Sequence, residues 1–527
     1  MPTLYESLKR NENINVNALY FENKSYTFKE VVKNVEKMVT YLKNKGIKEN
    51  DVVTVVLPNV PVTIYLFYAL NAIGAIQNIV HPLTPAKQIV KTMEETNSKY
   101  AIVLATIYQE EKELFDNSSY AFFFVNPVYD QSFLMRNVFY LKYKKVKENN
   151  HLFLIDNFRK CKQTSDIKTH DSSKTSIYLH SGGTTGTPKV ICLSDDSLNN
   201  LADKVDGIIG GAIEGKSMLA VLPSFHGFGL GMGIHAPLYN KAASALMIKF
   251  NSKKVIKWIN QNKVNLVIGV PLLYQKLMKD ENFEKSKLFN LEFCFIGGDN
   301  VPPSLINHFN AVMEKHNSSA KLLEGYGLTE TVTVCNVNTK TNNKVGSVGK
   351  PLRGIVNVIK DENLNTLKPN EIGEVYVSGN TLMNGYLNDE LATTSTIVNI
   401  DGIDYIRTGD LGYIDEDGFL FLKGRMKRMF KISGINVYPS EVEKIATDNE
   451  DIHDASLEYF TEGKPHMVLF VIKKHICLKD EKQIQDELMN ELKNKVLKYS
   501  LPNKIVFMNE FPKTNVGKID HKAFKDE

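Results

Sequence analysis

Hydrophobic and polar positions change their period several times along the chain, and each change marks an element. Ala18-Leu-Tyr-Phe21 is a short apolar run. Tyr26-Thr-Phe28 then leads into a stretch with apolar residues at Val31, Val32, Val35, Met38, Val39 and Leu42. That spacing puts one apolar stripe on a helix, and Lys45-Gly46 closes it, as glycine does at a helix C-terminus. Asp51–Leu57 reads as a buried strand, Val62–Ile76 as a core helix apolar almost all round, and Tyr100–Ala105 as another strand. The alternation predicts a mostly parallel sheet with helices on its faces. It resumes between 216 and 345, with strands expected at Ser217–Leu222, Leu266–Val270 and Phe293–Ile296. From 345 to 423 short strands and glycine turns take over, Gly373–Ser378 among them, which predicts a small β-rich subdomain. After Lys427, Tyr438-Pro-Ser440-Glu-Val-Glu443 carries a capping-box signature that starts a helix. Strands over 454–460, 466–473 and 504–508, with a helix over 480–497, complete an α+β tail large enough for its own core. The expected class is therefore α/β. Residues 1–426 form a large N-terminal domain, with two β/α subdomains to about 344 and the β-rich one from about 345 to 426, and 427–527 form a small C-terminal domain.

Composition narrows the field. At 527 residues the chain is too long for one compact core. A net charge of +4 is too mild to argue for a nucleic-acid partner. The five cysteines (Cys161, Cys192, Cys294, Cys335, Cys477) are scattered and form no CxxC pair, so neither a disulfide framework nor a structural zinc site is expected. Reduced thiols suggest the cytoplasm. The N-terminal stretch has no apolar h-region and no run reaches 18 apolar residues, so neither a secretory signal nor a spanning helix is expected. Residues 117–150 are aromatic, then basic. They read as a subdomain edge that buries its aromatics and solvates Lys142, Lys144, Lys145 and Lys147, with peripheral membrane contact as the weaker alternative.

The strongest chemical signal is Tyr178-Leu-His-Ser181-Gly182-Gly183-Thr184-Thr185-Gly186-Thr187-Pro188-Lys189, which follows the apolar strand Thr175–Leu179. Its glycines let successive N–H groups turn toward an anion. Ser181, Thr184 and Thr185 add hydroxyl donors and Lys189 a positive charge. It is a polyphosphate cradle by composition, but not a Walker A loop: Pro188 and Val190 stand where that motif needs Gly and Ser or Thr.

This segment resembles the phosphate-binding signature of the adenylate-forming superfamily of acyl- and aryl-CoA ligases, adenylation domains and firefly-type luciferases. Four further segments resemble that family in the expected order: Gly325-Tyr326-Gly327-Leu328-Thr329-Glu330, Tyr405-Ile-Arg-Thr408-Gly409-Asp410, Gly424-Arg425-Met-Lys427 through Ser433-Gly434, and Pro512-Lys513-Thr514-Asn-Val-Gly517-Lys518. The resemblance implies two steps. A carboxylate attacks the α-phosphorus of ATP to give an acyl-adenylate and pyrophosphate, and a thiol then displaces AMP. Negative charge spreading over phosphorus calls for cations and oriented donors around it.

On that resemblance Glu330 is similar to the acidic Mg²⁺ ligand, and Thr185 and Thr329 are hydroxyl contacts to phosphate, Thr185 also beside the metal. Tyr326 stacks on adenine, with Glu324, Gly325 and Gly327 around it. Gly297-Gly298-Asp299 resembles the loop between the adenine and acyl sites. Asp410 and Arg425 are also paired by the residues themselves: Leu411–Ile414 and Phe419–Leu422 read as strands joined by a turn at Asp415–Gly418, which puts both at one open end. Alone, the pair reads equally as a surface salt bridge or a ribose clamp, and the resemblance favours the clamp. Lys518 resembles the catalytic lysine that neutralises carboxylate and α-phosphate together, and Lys427 the hinge of a mobile C-terminal domain. Ser433-Gly434 resembles the loop of the thioester step, and Lys431 and Asn436 polar positions near AMP.

Leu222-Pro-Ser-Phe225-His226-Gly227 and the glycine-rich run to Gly233 resemble the acyl site, with His226 beside the substrate. No aspartate stands in 222–233 to bind an amino acid's ammonium group, and the apolar run suits a hydrophobic chain, with room for a long one. Four departures concern subfamily: Val190 for a glycine, Asp195 for a common histidine, Arg428 for a frequent acidic residue, and His521 for a frequent arginine. The expected activity is an ATP-dependent carboxylate–CoA ligase for a fatty or other hydrophobic acid, using ATP, Mg²⁺ and coenzyme A. The alternatives are a ligase loading an acyl carrier protein thiol and a non-catalytic nucleotide-binding protein.

Overall fold

The computed structural model describes residues 1–128, 146, 148–164, 167–181, 189–432, 435–461, 465–474, 477, 479–513 and 519–526. Two large sheets dominate. The first has eight strands in the order 385–386, 190–194, 175–180, 76–79, 52–56, 100–104, 121–125 and 152–154. From 175–180 through 152–154 its neighbours run parallel, and 190–194 returns antiparallel beside 175–180. The second has nine strands in the order 350–351, 334–337, 322–327, 293–296, 266–269, 217–220, 243–246, 17–21 and 24–27, parallel from 322–327 through 17–21.

The helices between them follow from local chemistry. Helix Phe28–Asn44 starts on a Thr27 capping box completed by Glu30 and buries Phe28, Val31, Val32, Val35, Met38, Val39 and Leu42. It packs on Pro61–Ile73, every residue of which is buried. Proline at the first turn suits that start, and Gly74 at φ +79° ends the helix three residues before the apolar pattern suggests. One continuous apolar core takes residues from both sheets, among them Val53, Ile177, Met218 and Leu266. Phe122, Phe123 and Phe124 are buried in the first sheet, as the subdomain-edge reading expects. Lys142, Lys144, Lys145 and Lys147 lie outside the described residues. Among the described residues no helix is long and apolar enough to cross a membrane.

Residues 355–360, 373–379, 403–414, 397–400 and 420–425 make a five-stranded antiparallel sheet, the expected β-rich part. Its chain also lends strand 385–386 to the edge of the first sheet. Strands 452–460, 466–473 and 504–507 form a smaller sheet. With helices 439–448 and 481–495 they enclose a separate core around Val442, Leu457, Leu469, Ile484 and Leu488.

The expected capping box at Ser440 is not made. Pro439 takes the first helical position, Tyr438 is the N-cap, and no side chain caps the helix. Ser440 Oγ donates instead to the Lys423 carbonyl. Glu443 accepts from Arg428 at 2.6 Å and from the Leu457 N–H at 2.8 Å. Arg428, where the family often has an acid, thus ties the chain after the β-rich sheet to the C-terminal sheet. Asp195 is fully buried and accepts from Asn71, Ser176, His170 and the Leu4 N–H, so the departure there carries its own polar network.

Candidate active site

Strand 175–180 ends at the cradle segment, and strand 190–194 leaves it. The base is closed by two reciprocal hydrogen bonds: the Ser181 N–H donates to the Lys189 carbonyl at 2.8 Å, and the Lys189 N–H to Ser181 Oγ at 2.9 Å. Gly182, Gly183, Thr184, Thr185 and Gly186 lie outside the described residues. His180, just before the cradle, packs its ring nitrogen 2.7 Å from Asn78 Oδ1. Burial pushes its pKa down to about 4, so it brings no positive charge near neutral pH.

Across the cleft, strand 322–327 carries Glu324, Gly325, Tyr326 and Gly327, and a 3₁₀ turn at Thr329–Thr331 presents Glu330. The next residue, Val332, sits at φ +64°, ψ −57°, with the Thr333 N–H donating to the Thr331 carbonyl at 2.8 Å. This is a γ-turn of the strained kind, unusual for a β-branched residue. Two glycines hold it in place. A Cβ on Gly227 would lie 1.7 Å from the Val332 carbonyl oxygen, and one on Gly327 would lie 1.3 Å from that of Thr333. The turn after Glu330 is therefore wedged against the helix of the expected acid site.

Lys189 and Glu330 meet at a residue the sequence did not single out, Tyr386. The Lys189 ammonium lies 4.5 Å from the centre of its ring, and its hydroxyl donates to Glu330 Oε1 at 2.9 Å. Only the two-residue strand Gly385–Tyr386, paired with 190–194, brings it there, and a strand so short leaves no periodic signal.

Asp410 and Arg425 are directly opposite each other in the hairpin register. Asp410 is buried; its Oδ1 accepts from Arg425 Nε at 2.9 Å and its Oδ2 from the Tyr326 hydroxyl at 2.5 Å. Burial raises the Asp410 pKa, while the guanidinium and the phenol pull it back. An aromatic ring, a carboxylate and a guanidinium are thus fixed in one place, which suits a nucleoside. Glu324 lies two residues before Tyr326 on the same strand, its pKa pushed up to about 8 by burial, with the Lys444 charge opposing. Glycines 297 and 325 bring two backbones together: a Cβ on Gly297 would meet the Gly325 carbonyl at 2.7 Å. Gly298 takes φ +81°, and Asp299 is exposed beside it.

At the expected acid site, the half-buried His226 ring lies 4.3 Å from Phe225, which lies 4.5 Å from His81. Phe228–His235 is a π-helix, a rare form frequent at functional sites. Two of its glycines allow close approach of neighbouring elements: Cβ atoms on Gly229 and Gly231 would meet the Pro223 carbonyl at 2.1 Å and Leu201 at 2.8 Å.

Lys427 lies in a 3₁₀ turn, Met426–Arg428, immediately after Arg425. Lys431 and Asn436 face each other in the hairpin 430–432/435–437, and Asn436 donates to the Tyr438 hydroxyl at 3.4 Å. Ser433, Gly434 and Lys518 lie outside the described residues. Lys513, within the last motif, and Ile519, just after it, form a β-bridge. Asp454 of the C-terminal sheet feels both the Asp299 and the Lys513 charge, and burial, the larger effect, lifts its pKa to about 6. His521 holds Glu458 at 2.7 Å.

Residues 7–387 match the profile of the AMP-binding enzyme family, and the chain belongs to that family. Among its relatives is the long-chain-fatty-acid–CoA ligase of Bacillus subtilis, 27% identical, with 97% of this chain and 91% of the relative covered. Another is 4-coumarate:CoA ligase 1 of Petunia hybrida, also 27% identical, with 95% and 89% covered. The fold matches the anthranilate CoA ligase AuaEII in complex with anthranoyl-AMP at TM-score 0.84 and 20% identity, over 99% of this chain and 96% of that one. It also matches o-succinylbenzoate CoA synthetase of Bacillus subtilis in complex with its acyl-adenylate at TM-score 0.80 and 20% identity, over 100% and 98%.

Proposed function

We propose that the protein is an ATP-dependent carboxylate–CoA ligase for a hydrophobic acid. The observation that carries this reading is the cluster Tyr326–Asp410–Arg425 at the mouth between the sheet end bearing Lys189 and the turn bearing Glu330. Tyr326 offers a ring face to adenine. Asp410 accepts from the ribose hydroxyls, and Arg425 donates to ribose or the α-phosphate. Lys189, with the cradle N–H groups and the Thr184 and Thr185 hydroxyls, holds the β- and γ-phosphates. Glu330, with Thr185, supplies the hard oxygen donors that Mg²⁺ takes while keeping most of its waters and phosphate contacts. That ion, when bound, adds positive charge to the leaving pyrophosphate.

In the first step a carboxylate oxygen of the acid forms a bond to the α-phosphorus as the bond to the β-phosphate oxygen breaks. Lys518 offsets the charge of both reactants. In the second, a thiolate sulfur attacks the acyl carbon, AMP leaves, and the thiol proton passes to solvent. On this reading residues 427–527 turn about Lys427 to present Lys518 first and the Ser433-Gly434 loop second. The half-buried Leu222, Phe225, Phe228 and Leu328 give the acid site an apolar wall around His226. The absence of a carboxylate in 222–233 leaves nothing there to pair an amino acid's ammonium.

The test is hydroxylamine trapping with ATP and Mg²⁺ over acids of graded length and aromaticity, followed by CoA or a phosphopantetheinylated carrier protein as acceptor. Acid-dependent hydroxamate and pyrophosphate, then AMP and acyl-CoA, are the expected products. Transfer only to the carrier would move the reading to an acyl-AMP ligase for carrier proteins. No pyrophosphate with any acid would end the catalytic reading.

A further inference from the structure

Tyr386 comes from the β-rich part of the chain but is built into the edge of the first sheet. The Asn384 N–H donates to the Cys192 carbonyl at 2.8 Å, and the Leu387 N–H to that of Val190 at 2.9 Å. The Tyr386 N–H donates to Thr393 Oγ1 at 2.9 Å. The ring is therefore fixed by its own backbone, independently of the two charged groups it touches. Burial, and then the Glu330 charge, raise the phenol pKa, so the hydroxyl acts as a neutral donor.

The two contacts use different parts of the ring. The Lys189 ammonium lies over its face, where the quadrupole is negative, and Glu330 is held at its hydroxyl edge. No ion pair joins Lys189 and Glu330 among the described residues, although both touch the same ring. A direct pair would occupy the cation needed by phosphate and the oxygen needed by the metal. We propose that Tyr386 is a positioning residue that keeps these charges apart. Its face parks the lysine, and its hydroxyl turns Glu330 so that one carboxylate oxygen stays open to the metal–nucleotide complex. This rests on the functional reading above.

The probes are Mn²⁺–ATP, followed by water-proton relaxation, and metal-free AMP, followed by calorimetry. Tyr386→Phe keeps the ring and loses the hydroxyl. It should weaken Mn²⁺–ATP binding about 10- to 100-fold, as loss of a partner behind a metal ligand does, with AMP binding unchanged. Tyr386→Leu should weaken it further. In a Glu330→Gln background the Tyr386→Phe change should add no further loss. Mn²⁺–ATP binding at the wild-type level in Tyr386→Phe, or an equal further loss in the Glu330→Gln background, would overturn the proposal. Should Tyr386→Phe fail to fold, Thr393→Val loosens the same strand from outside the cleft. Weaker Mn²⁺–ATP with unchanged AMP would then support the role, and unchanged Mn²⁺–ATP would overturn it. Wild-type protein that neither binds Mn²⁺–ATP nor forms hydroxamate would instead sink the functional reading itself.

Discussion

Asp410→Asn separates what this carboxylate does for stability from what it does for a nucleotide. In the folded chain Asp410 is buried and holds Arg425 at 2.9 Å and the Tyr326 hydroxyl at 2.5 Å. Asparagine keeps the shape and one acceptor oxygen, so Tyr326 keeps a partner. The Arg425 side chain is 59% exposed, so solvent screens the lost ion pair, and such pairs contribute only about 0–1 kcal/mol. Neutralising a buried carboxylate also removes a desolvation cost of the same sign as the burial-raised pKa. The two effects oppose each other, and stability should move by no more than about 1 kcal/mol. Binding should move more. Two ribose hydroxyls would exchange charge-assisted bonds for neutral ones, a loss of about 1–1.5 kcal/mol each. The sum, about 2–3 kcal/mol, is roughly a 30- to 150-fold loss of AMP affinity. Calorimetry with AMP and 2′,3′-dideoxy-AMP reads this directly. The wild type should prefer AMP over the dideoxy compound, and Asp410→Asn should lose that much of the preference, keeping only what its neutral bonds supply. A variant that discriminates as strongly as the wild type, or a wild type that binds the dideoxy compound as tightly as AMP, would refute the assignment of Asp410 to ribose.

Three further outcomes are expected. Lys518→Ala should cut acid-dependent pyrophosphate release by orders of magnitude while AMP binding, measured by calorimetry, persists; near wild-type pyrophosphate exchange would remove that lysine from the first step. Glu324 ionises near 4.3 in an unfolded chain and near 8 here. Between those values the folded state holds a proton that the unfolded state has lost, so its contribution to stability falls as pH rises through that window. The stabilisation of Glu324→Gln over wild type in urea titrations should therefore grow from pH 5 to pH 8.5, and a pH-independent difference would contradict the burial argument. Gly227→Ala would drive a methyl into the Val332 carbonyl, whereas Gly207→Ala meets nothing within 4 Å. Melting curves and hydroxamate assays should show the first variant destabilised and inactive and the second close to wild type.

How far the sequence carried the picture depended on how local each feature was. Asp410 and Arg425 could be paired from the chain alone because a single hairpin sets their register. Strand Phe293–Ile296 and the strand–helix run from 17 to 44 were equally legible, since period and turn chemistry are local. The meeting of Lys189 with Glu330 was not, because it depends on a two-residue strand joining 385–386 to 190–194 across nearly two hundred positions. The close packing of the glycine-rich run after His226 was not legible either, because it is made by the distant neighbours Val332, Pro223 and Leu201. The spacing of Ser440 to Glu443 predicts a cap, but Pro439 starts the helix two residues earlier than that cap would and frees both side chains for contacts elsewhere.

The two carboxylates of the cleft share a solution to an electrostatic problem. A site for a polyphosphate must not present bare negative charge, yet on the proposed reading it needs one acidic group for ribose and one for the metal. Cations could neutralise both, but a lysine fully committed to a carboxylate has less to offer a phosphate. Here Tyr326 donates to Asp410 and Tyr386 to Glu330, so each carboxylate is oriented by a neutral hydroxyl. Arg425 shares its charge with Asp410 only through Nε. One terminal nitrogen, Nη1, reaches the Thr408 carbonyl at 3.1 Å, leaving the guanidinium's remaining donors at the mouth where the α-phosphate would lie. Lys189 rests on an aromatic face, and among the described residues it makes no ion pair with Glu330. Phenol donors thus set the geometry of the acids while the cations remain available, which is the arrangement an incoming triphosphate requires.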